Sequence, residues 1–390
     1  TESDDLIEKA NDLPIRVLKR DKSLASNATD GHAMFENECR HVPDADIVIQ
    51  ALCTAPFLDE KAISKGIDNL LHSRINDSLV AVTCPRQYSW TGDRPDYGYS
   101  RIPNSADVPP SKIEAMSLYT ATVPGASYPK KRFGMKPLFL QLSCREAIDI
   151  NYLEELDLAE MICRGERMNE ANYFRVLKHH LSSSVLSDVT KEMGCSFMLP
   201  SYLKPVSGGK MLGRVRTLRL GQLEGEARDI NKSNAWKGIY NALESYEFVR
   251  SGDVIVVENA VPERAYFGDL NCHLAMRAGA TGVLVDGFTR DVDQVSSMGL
   301  PVYARGAWSN DIKYEGTTVA YNKPVSIGGV KAQNDDVIFA DGEGVVIIPS
   351  PYWSDVLEQA MLRNQKESHV RNGLLQGKPV GEIIDSFGFF

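Results

Sequence analysis

The sequence contains no run of Lys and Arg long enough to line a phosphate backbone, and its balance is acidic. There are 43 basic against 52 acidic side chains, a formal net charge of −9. Binding to nucleic acid through its phosphates needs the opposite, so no direct nucleic-acid partner is expected. No apolar stretch approaches the roughly twenty residues of a membrane-spanning helix, so no membrane partner is expected either. No two cysteines are spaced C-x-x-C, which removes the common zinc-ligand pattern. The seven cysteines are Cys39, Cys53, Cys84, Cys144, Cys163, Cys195 and Cys272. An odd number without pair spacing reads as reduced, mostly buried thiols in a cytoplasmic protein. No G-x-G-x-x-G follows a strand-like run, so dinucleotide and methyl-donor binding lack their usual turn. The segment GGKMLG (208–213) lacks the terminal Gly-Lys-Ser/Thr of a phosphate loop and reads as a turn before a strand at Gly213. His179 and His180 are adjacent, so they point to different faces of a helix and make a poor metal pair. There is no repeat of fixed period.

The chain is ordinary in its apolar and charged content, 43% and 24%, and its 390 residues can bury a large core. The first 165 residues read as α/β. Asp46–Leu52 (DIVIQAL) is a nearly continuous apolar run, as expected of a buried parallel strand. Asp59–Leu71 has helical spacing, and Ser78–Thr83 reads as the next strand. Residues 85–112 read as a long surface loop, and Glu154–Cys163 as a helix. The polar stretch 164–171 (RGERMNEA) is the expected linker. The domains would then be 1–165 and 166–390.

Beyond the linker, a helix is expected near Tyr173–Leu181. Strands are expected at Gly213–Leu218, Asp253–Glu258, Gly282–Asp286, Pro301–Ala304, Val337–Ala340 and Gly344–Pro349, most of them bounded by Gly, Asp or Pro. The helix Leu270–Ala278 should stop at Gly279, and a last helix should cover Pro351–Lys366.

Residues 268–291, GDLNCHLAMRAGATGVLVDGFTRD, hold the densest candidate chemistry. Asp269 sits where an N-cap is expected, ahead of free amides at Leu270 and Asn271 that could bind a carboxylate or phosphate. Twenty residues separate Asp269 from Arg290-Asp291, which follows a strand and an expected turn at Gly287-Phe288-Thr289. If the strand end and the helix start lie side by side, an Arg would face a carboxylate or enolate. One or two Asp would then face a hard cation. Magnesium favours such oxygen ligands, and a 2-oxo acid chelates it through carboxylate and carbonyl. Enolate formation needs that Lewis acid and a nearby guanidinium. Spacing alone leaves a second reading open, in which Asp269 caps a helix and Arg290-Asp291 is a surface ion pair. Cys272 and His273 are adjacent and so diverge on the helix, and Cys272 reads as a buried thiol.

The phrases SVLSDV (184–189), GRVRTL (213–218), GDVIVVE (252–258), 268–291, GLPVYARG (299–306) and DDVIFADGEGVVIIP (335–349) together resemble one superfamily. It contains the regulator of ribonuclease activity A (RraA) and the class II 4-hydroxy-4-methyl-2-oxoglutarate aldolases. The aldolase pattern of Asp, twenty residues, then Arg-Asp is matched by Asp269, Arg290 and Asp291. The Gly that precedes that Asp by four residues is here Ala265.

The resemblance implies a swivelling β/β/α domain that assembles as a homo-oligomer, trimer or hexamer. It implies a lyase that uses Mg, or another divalent cation such as Mn, to release pyruvate from a small 2-oxo or hydroxy-oxo dicarboxylate by aldol cleavage or decarboxylation. Arg290 would bind the substrate and stabilise the enolate, Asp291 would hold the metal, and Asp269 would hold a water of that ion. The amides of Leu270 and Asn271 would take the carboxylate. The regulator members imply an alternative, a ring-forming binding protein without catalysis.

In the first part, DIVIQALCTAPFL (46–58) and AIDINYLEELDLAE (147–160) are similar to phrases of acylneuraminate cytidylyltransferases. This implies a truncated α/β nucleotidyltransferase-like domain, with Gln50 near a nucleotide- or sugar-contacting position. Asp149 matches the first of two metal-associated carboxylates, and Asn151 stands at the second. Nucleotidyl transfer from this domain is a further alternative. The two halves together resemble the DlpA family.

Overall fold

The computed structural model describes residues 1–10, 14–26, 28–42, 44–123, 129–224 and 237–388. The chain divides into two compact units, 1–161 and 162–390.

The first unit opens with two short helices, α1 (Asp4–Ala10) and α2 (Gly31–Cys39), the latter capped by Asp30. Its sheet holds β1 (Ile47–Ala51), β2 (Ser78–Thr83), β3 (Ile113–Thr122) and β4 (Pro137–Gln141) in the order β1-β3-β2-β4. Only β2 and β4 run parallel; β3 is antiparallel to both neighbours. The run at 46–52 is therefore not the buried parallel strand its composition predicts. It is an antiparallel edge strand with alternating burial, because β3 covers one side only. α3 (Glu60–His72) forms where expected, with Asp59 accepting from the Ala62 amide. Its apolar face packs on Leu79, Leu118 and Leu140. In the expected loop 85–112, a two-residue ladder pairs Trp90–Thr91 with Arg94–Pro95, and a 3-10 turn covers Ser105–Asp107.

The stretch 164–171, expected as a linker, is continuous helix just past the division between the units. It lies inside α4 (Leu153–Leu177), which also absorbs the helix expected at 173. Glu, Arg, Met and Ala are good helix formers, and one glycine costs only about 1 kcal/mol, so polarity here marks a solvent-facing helix rather than a break.

The second unit is built on a nine-stranded sheet. Its strands and their helices follow the order α5 (Ser183–Glu192), β5 (Lys204–Ser207), β6 (Met211–Gln222), α6 (Lys237–Tyr240), β7 (Asp253–Asn259), β8 (Ala265–Phe267), α7 (Asp269–Ala278), β9 (Gly282–Thr289), α8 (Val292–Met298), β10 (Val302–Ala307), β11 (Gly316–Tyr321), β12 (Val325–Ile327), β13 (Val330–Ala332), β14 (Val337–Ala340), β15 (Val345–Ile348), α9 (Trp353–Leu375) and α10 (Val380–Phe387). The main path is β15-β14-β6-β7-β9-β10-β5, with β8 beside β9 and β11 beside β6. β6, β7, β9 and β10 are mutually parallel.

Alternation sorts the strand residues onto two faces. Ile255, Val257, Val283 and Val285 pack with Cys272 and Ala275 of α7. Val254, Val256 and Leu284 face the β12–β13 hairpin through Val325, Ile327 and Ala332. Helices, sheet and hairpin thus form three layers. A third cluster joins α5 and α9 to Phe339, Val346 and Ile348. No helix among the described residues is long and apolar enough to cross a membrane.

Seven free thiols are present, but only Cys39 and Cys272 are buried. The expectation of mostly buried thiols fails because Cys53, Cys144 and Cys163 lie on solvent-facing positions.

Candidate functional site

The site forms where parallel strands end. β8 pairs in parallel with the last residues of β9, Ala265 opposite Phe288 and Phe267 opposite Thr289. α7 is the crossover between them. The twenty residues between Asp269 and Arg290 are therefore one helix and one strand, and both ends of that unit return to the same edge. The Arg290 amide and the Thr289 hydroxyl both donate to Phe267 O, at 2.9 and 2.8 Å. β10 closes the third side, its Trp308 amide donating to Thr289 O at 2.8 Å. Carboxyl ends of parallel strands are where α/β sheets bind ligands.

Two local expectations are corrected here. Gly268 is the N-cap of α7, so Asp269 is the first helical residue and its side chain makes no cap bond. The residues Gly287-Phe288-Thr289 are the end of β9 rather than a turn, because pairing with β8 and β10 extends the strand. Gly279 ends α7 with φ 90°, as its position predicts.

Asp291 Oδ2 accepts from the Asp269 amide at 3.3 Å and lies 3.5 Å from Arg290 Nε. This approach requires Gly268. A Cβ there would sit 2.5 Å from Asp291 Oδ2 and 3.2 Å from Arg290 Cγ. Asp291 itself has φ 55°, a left-handed conformation that Asp tolerates better than most residues. Arg290 Nη1 also pairs with Asp311 Oδ2 at 3.2 Å. Sequence reasoning missed Asp311. It arrives through a bridge between Ala265 and Asp311, with the Ala265 amide donating to Asn310 O and the Ile312 amide to Ala265 O. No local signal encodes that pairing.

Asp269, Leu270, Asn271, Arg290, Asp291 and Asp311 all border one cleft of about 430 Å³, within the usual range of roughly 300–1,000 Å³ for small-molecule sites. The first-turn amides of α7 have no intrahelical partner. The Asn271 side chain is committed elsewhere, donating to Tyr266 O at 2.7 Å. Tyr266 also lines the cleft; burial pushes its phenol well above the ordinary value, so it stays protonated. Burial, reinforced by Asp269, raises the Cys272 thiol as well, which fits an inert buried sulfur. Among the described residues no three His, Cys, Asp or Glu side chains converge as a ready metal cage. The oxygens of Asp269 and Asp291 nevertheless suit magnesium, which takes one or two carboxylates and completes its shell with water and substrate.

Residues 183–347 match a family model described as RraA-like, Aldolase/RraA. A putative 4-hydroxy-4-methyl-2-oxoglutarate aldolase of Halalkalibacterium halodurans is 30% identical over 164 residues, covering 42% of this chain and 71% of that protein. The chain belongs to the Aldolase/RraA family. Protein DlpA of Legionella pneumophila is 26% identical over 208 residues, which is 53% of this chain but only 32% of DlpA's length. Among solved structures, Streptomyces coelicolor RraAS2, titled an unusual member of the RNase ES inhibitor RraA protein family, is 27% identical with a TM-score of 0.43. That likeness covers 51% of this chain and 94% of RraAS2.

The two N-terminal candidates belong to the first unit. Gln50 is buried on β1, its Nε2 donating to Glu38 Oε2 at 2.5 Å. Asp149 accepts from Asn151 Nδ2 at 2.8 Å. One carboxamide oxygen of Gln50 and one carboxylate oxygen of Asp149 are buried without a partner among the described residues.

Proposed function

We propose that this family member is a lyase that cleaves a carbon–carbon bond next to the carbonyl-bearing fragment of a 2-oxo acid and releases pyruvate. The observation that carries the reading is the convergence of Asp269, Arg290 and Asp291 on one cleft, with Asp291 Oδ2 within 3.5 Å of both the Asp269 amide and Arg290 Nε. The resemblance to hydroxy-oxo dicarboxylate aldolases supplies the reaction class.

Asp291, with Asp269 beside it, would hold a divalent cation, Mg or Mn. When bound, that ion supplies Lewis acidity to the substrate carbonyl. Arg290 binds the oxo-acid and stabilises the negative charge that develops on its carbonyl oxygen. The amides of Leu270 and Asn271 take the carboxylate at the helix start. Asp269 orients a water that accepts the C4 hydroxyl proton. As the C3–C4 bond breaks, its electron pair becomes the enolate, which regains a proton at C3 to give pyruvate. Decarboxylation of oxaloacetate uses the same enolate.

We place the chain in a homo-oligomer, trimer or hexamer, which light scattering reads directly. The domain limits 1–165 and 166–390, and a nucleotidyltransferase-like role for the first part through Gln50 and Asp149, are further proposals; CTP titration of the full chain tests that role. The lyase test is pyruvate release with and without magnesium, in wild type and Arg290→Ala. Turnover that needs both the metal and Arg290 supports the reading. No metal-dependent turnover on oxaloacetate or on any 4-hydroxy-2-oxo acid refutes it. Capture of a ribonuclease that Arg290→Ala leaves unchanged would favour the binding-protein alternative.

A further inference from the structure

The cleft is polar at one end only. Asp269, Arg290, Asp291 and Asp311 gather beside the strand ends. The remaining wall is built by Ile239, Tyr240, Leu243, Tyr266, Leu274 and Ile312. Tyr240 comes from α6, and Leu243 from the 3-10 turn Asn241–Phe248 that follows it. Leu243 and Leu274 lean on the core beneath. Leu270, at the rim, is 72% exposed.

The charges of the cleft bear on what that wall can hold. Among the described residues its cations are Arg290 and Lys313. Arg290 already faces Asp291 and Asp311. The Lys313 ammonium lies over the rings of Tyr314 and Tyr240, 4.9 and 5.8 Å from their centroids. Three carboxylates, Asp269, Asp291 and Asp311, border the same space. A second substrate carboxylate pushed against the apolar wall would lose water there, and Lys313, the cation among the described residues that reaches that wall, already lies over two tyrosine rings. An aryl or branched alkyl group would bury apolar surface there instead.

We infer that the substituent on the far carbon of the substrate is apolar, so that the preferred ligand is a 2-oxo monocarboxylate with an aromatic or branched aliphatic tail. This departs from the dicarboxylate that the resemblance implies. It rests on the reading of the cleft as a 2-oxo acid site. A matching reaction is cleavage of 4-hydroxy-2-oxo-4-phenylbutanoate. The C4 hydroxyl loses its proton, the C3–C4 pair passes into the enolate, and C3 is protonated, giving pyruvate and benzaldehyde with nothing left over.

The test uses the full chain with magnesium present. Calorimetric titrations with phenylpyruvate and with 2-oxoglutarate, neither of which can undergo this cleavage, read the tail preference alone. Phenylpyruvate should bind about tenfold or more tightly than 2-oxoglutarate. Leu243→Lys should erase or reverse that ratio. Leu270→Lys should shift it the same way, and its exposed position guards against misfolding. Equal or tighter binding of 2-oxoglutarate to wild type, or a ratio that neither variant moves, overturns the inference. Pyruvate release from 4-hydroxy-2-oxo-4-phenylbutanoate is measured separately. A phenylpyruvate preference with no release from this substrate, from oxaloacetate or from any other 4-hydroxy-2-oxo acid keeps the apolar pocket and refutes the lyase; release without the preference refutes the pocket and keeps the lyase.

Discussion

Replacing Gly268 by alanine should disable the site with a single methyl group. Gly268 has φ −144°, which any residue adopts, so backbone strain is not the issue. Space is. The new Cβ would stand 2.5 Å from Asp291 Oδ2, 3.2 Å from Arg290 Cγ and 3.4 Å from Arg290 Nε. Restoring an ordinary contact of about 3.4 Å to the carboxylate means opening roughly 1 Å at the residues proposed to act on substrate, and misplacement on that scale costs on the order of 10²-fold in rate.

Overpacking a filled site costs about 1–3 kcal/mol. Asp291 is about a third exposed, so the lower half of that range applies. At roughly 2–4 °C per kcal/mol for a domain of this size, thermal unfolding should move by only a few degrees. The matched control is Gly165→Ala in α4, where a Cβ meets nothing within 4 Å. That change should stabilise by up to about 1 kcal/mol and leave turnover alone. Pyruvate release and thermal unfolding of both variants decide the matter. If Gly268→Ala keeps wild-type kcat/KM and melts like Gly165→Ala, then close approach at Gly268 is not what positions Asp291.

Three further outcomes follow from the same geometry. Asp311→Asn should cost no more than about 1 kcal/mol of stability, since its pair with Arg290 is partly exposed. It should also lower kcat roughly tenfold with less effect on KM, because Arg290 loses its orientation; steady-state kinetics separate the two parameters. Asp341 is buried, which works to raise its carboxyl, but donation from Ser183 Oγ and N, Glu343 N and Gly344 N wins and holds it low. Its stabilisation is therefore complete above the unfolded value near pH 4 and is lost as pH falls through the lower folded value. Asp341→Asn should be about 1–3 kcal/mol less stable at pH 7 and lose part of that acid-side slope, read by unfolding midpoints from pH 6 to 3. Brief alkylation should label Cys53, Cys144 and Cys163 and spare Cys39 and Cys272, whose burial raises their thiols. Rapid labelling of Cys272 would contradict its placement under α7.

The strands of the second unit were legible because Val254–Val257 and Val283–Val285 are apolar on both faces and are flanked by Asp253 and Glu258 and by Gly282 and Asp286. That is the pattern of a sheet covered on two sides. The Asp269–Arg290-Asp291 spacing was legible because one helix and one strand lie between them. Other features depend on partners distant in sequence. β1 is an edge strand only because β3, some seventy residues later, pairs on one side. Asp311 joins Arg290 only through its bridge to Ala265. The extension of β9 through Thr289 comes from β8 and β10, not from the Gly-Phe-Thr sequence itself. The linker expected at 164–171 is unbroken helix for the opposite reason. Its residues are good helix formers, and polarity alone does not end a helix.

The left-handed backbone at Asp291 filters the chain twice at one position. The side chain must reach the Asp269 amide, and the residue must also accept φ 55° at the start of α8. Asn passes both filters and gives up only the charge; Ala fails both, and a β-branched residue fails most severely. Loss of activity on going to Ala would therefore mix lost charge with a bent entry into α8, whereas Asn isolates the charge. The same coupling narrows drift at this corner. A copy of the chain that abandoned the chemistry would still be held to Asp, Asn or Gly by the turn alone, so an acidic residue at 291 is weaker testimony to catalysis than the arginine beside it, which no backbone requirement demands.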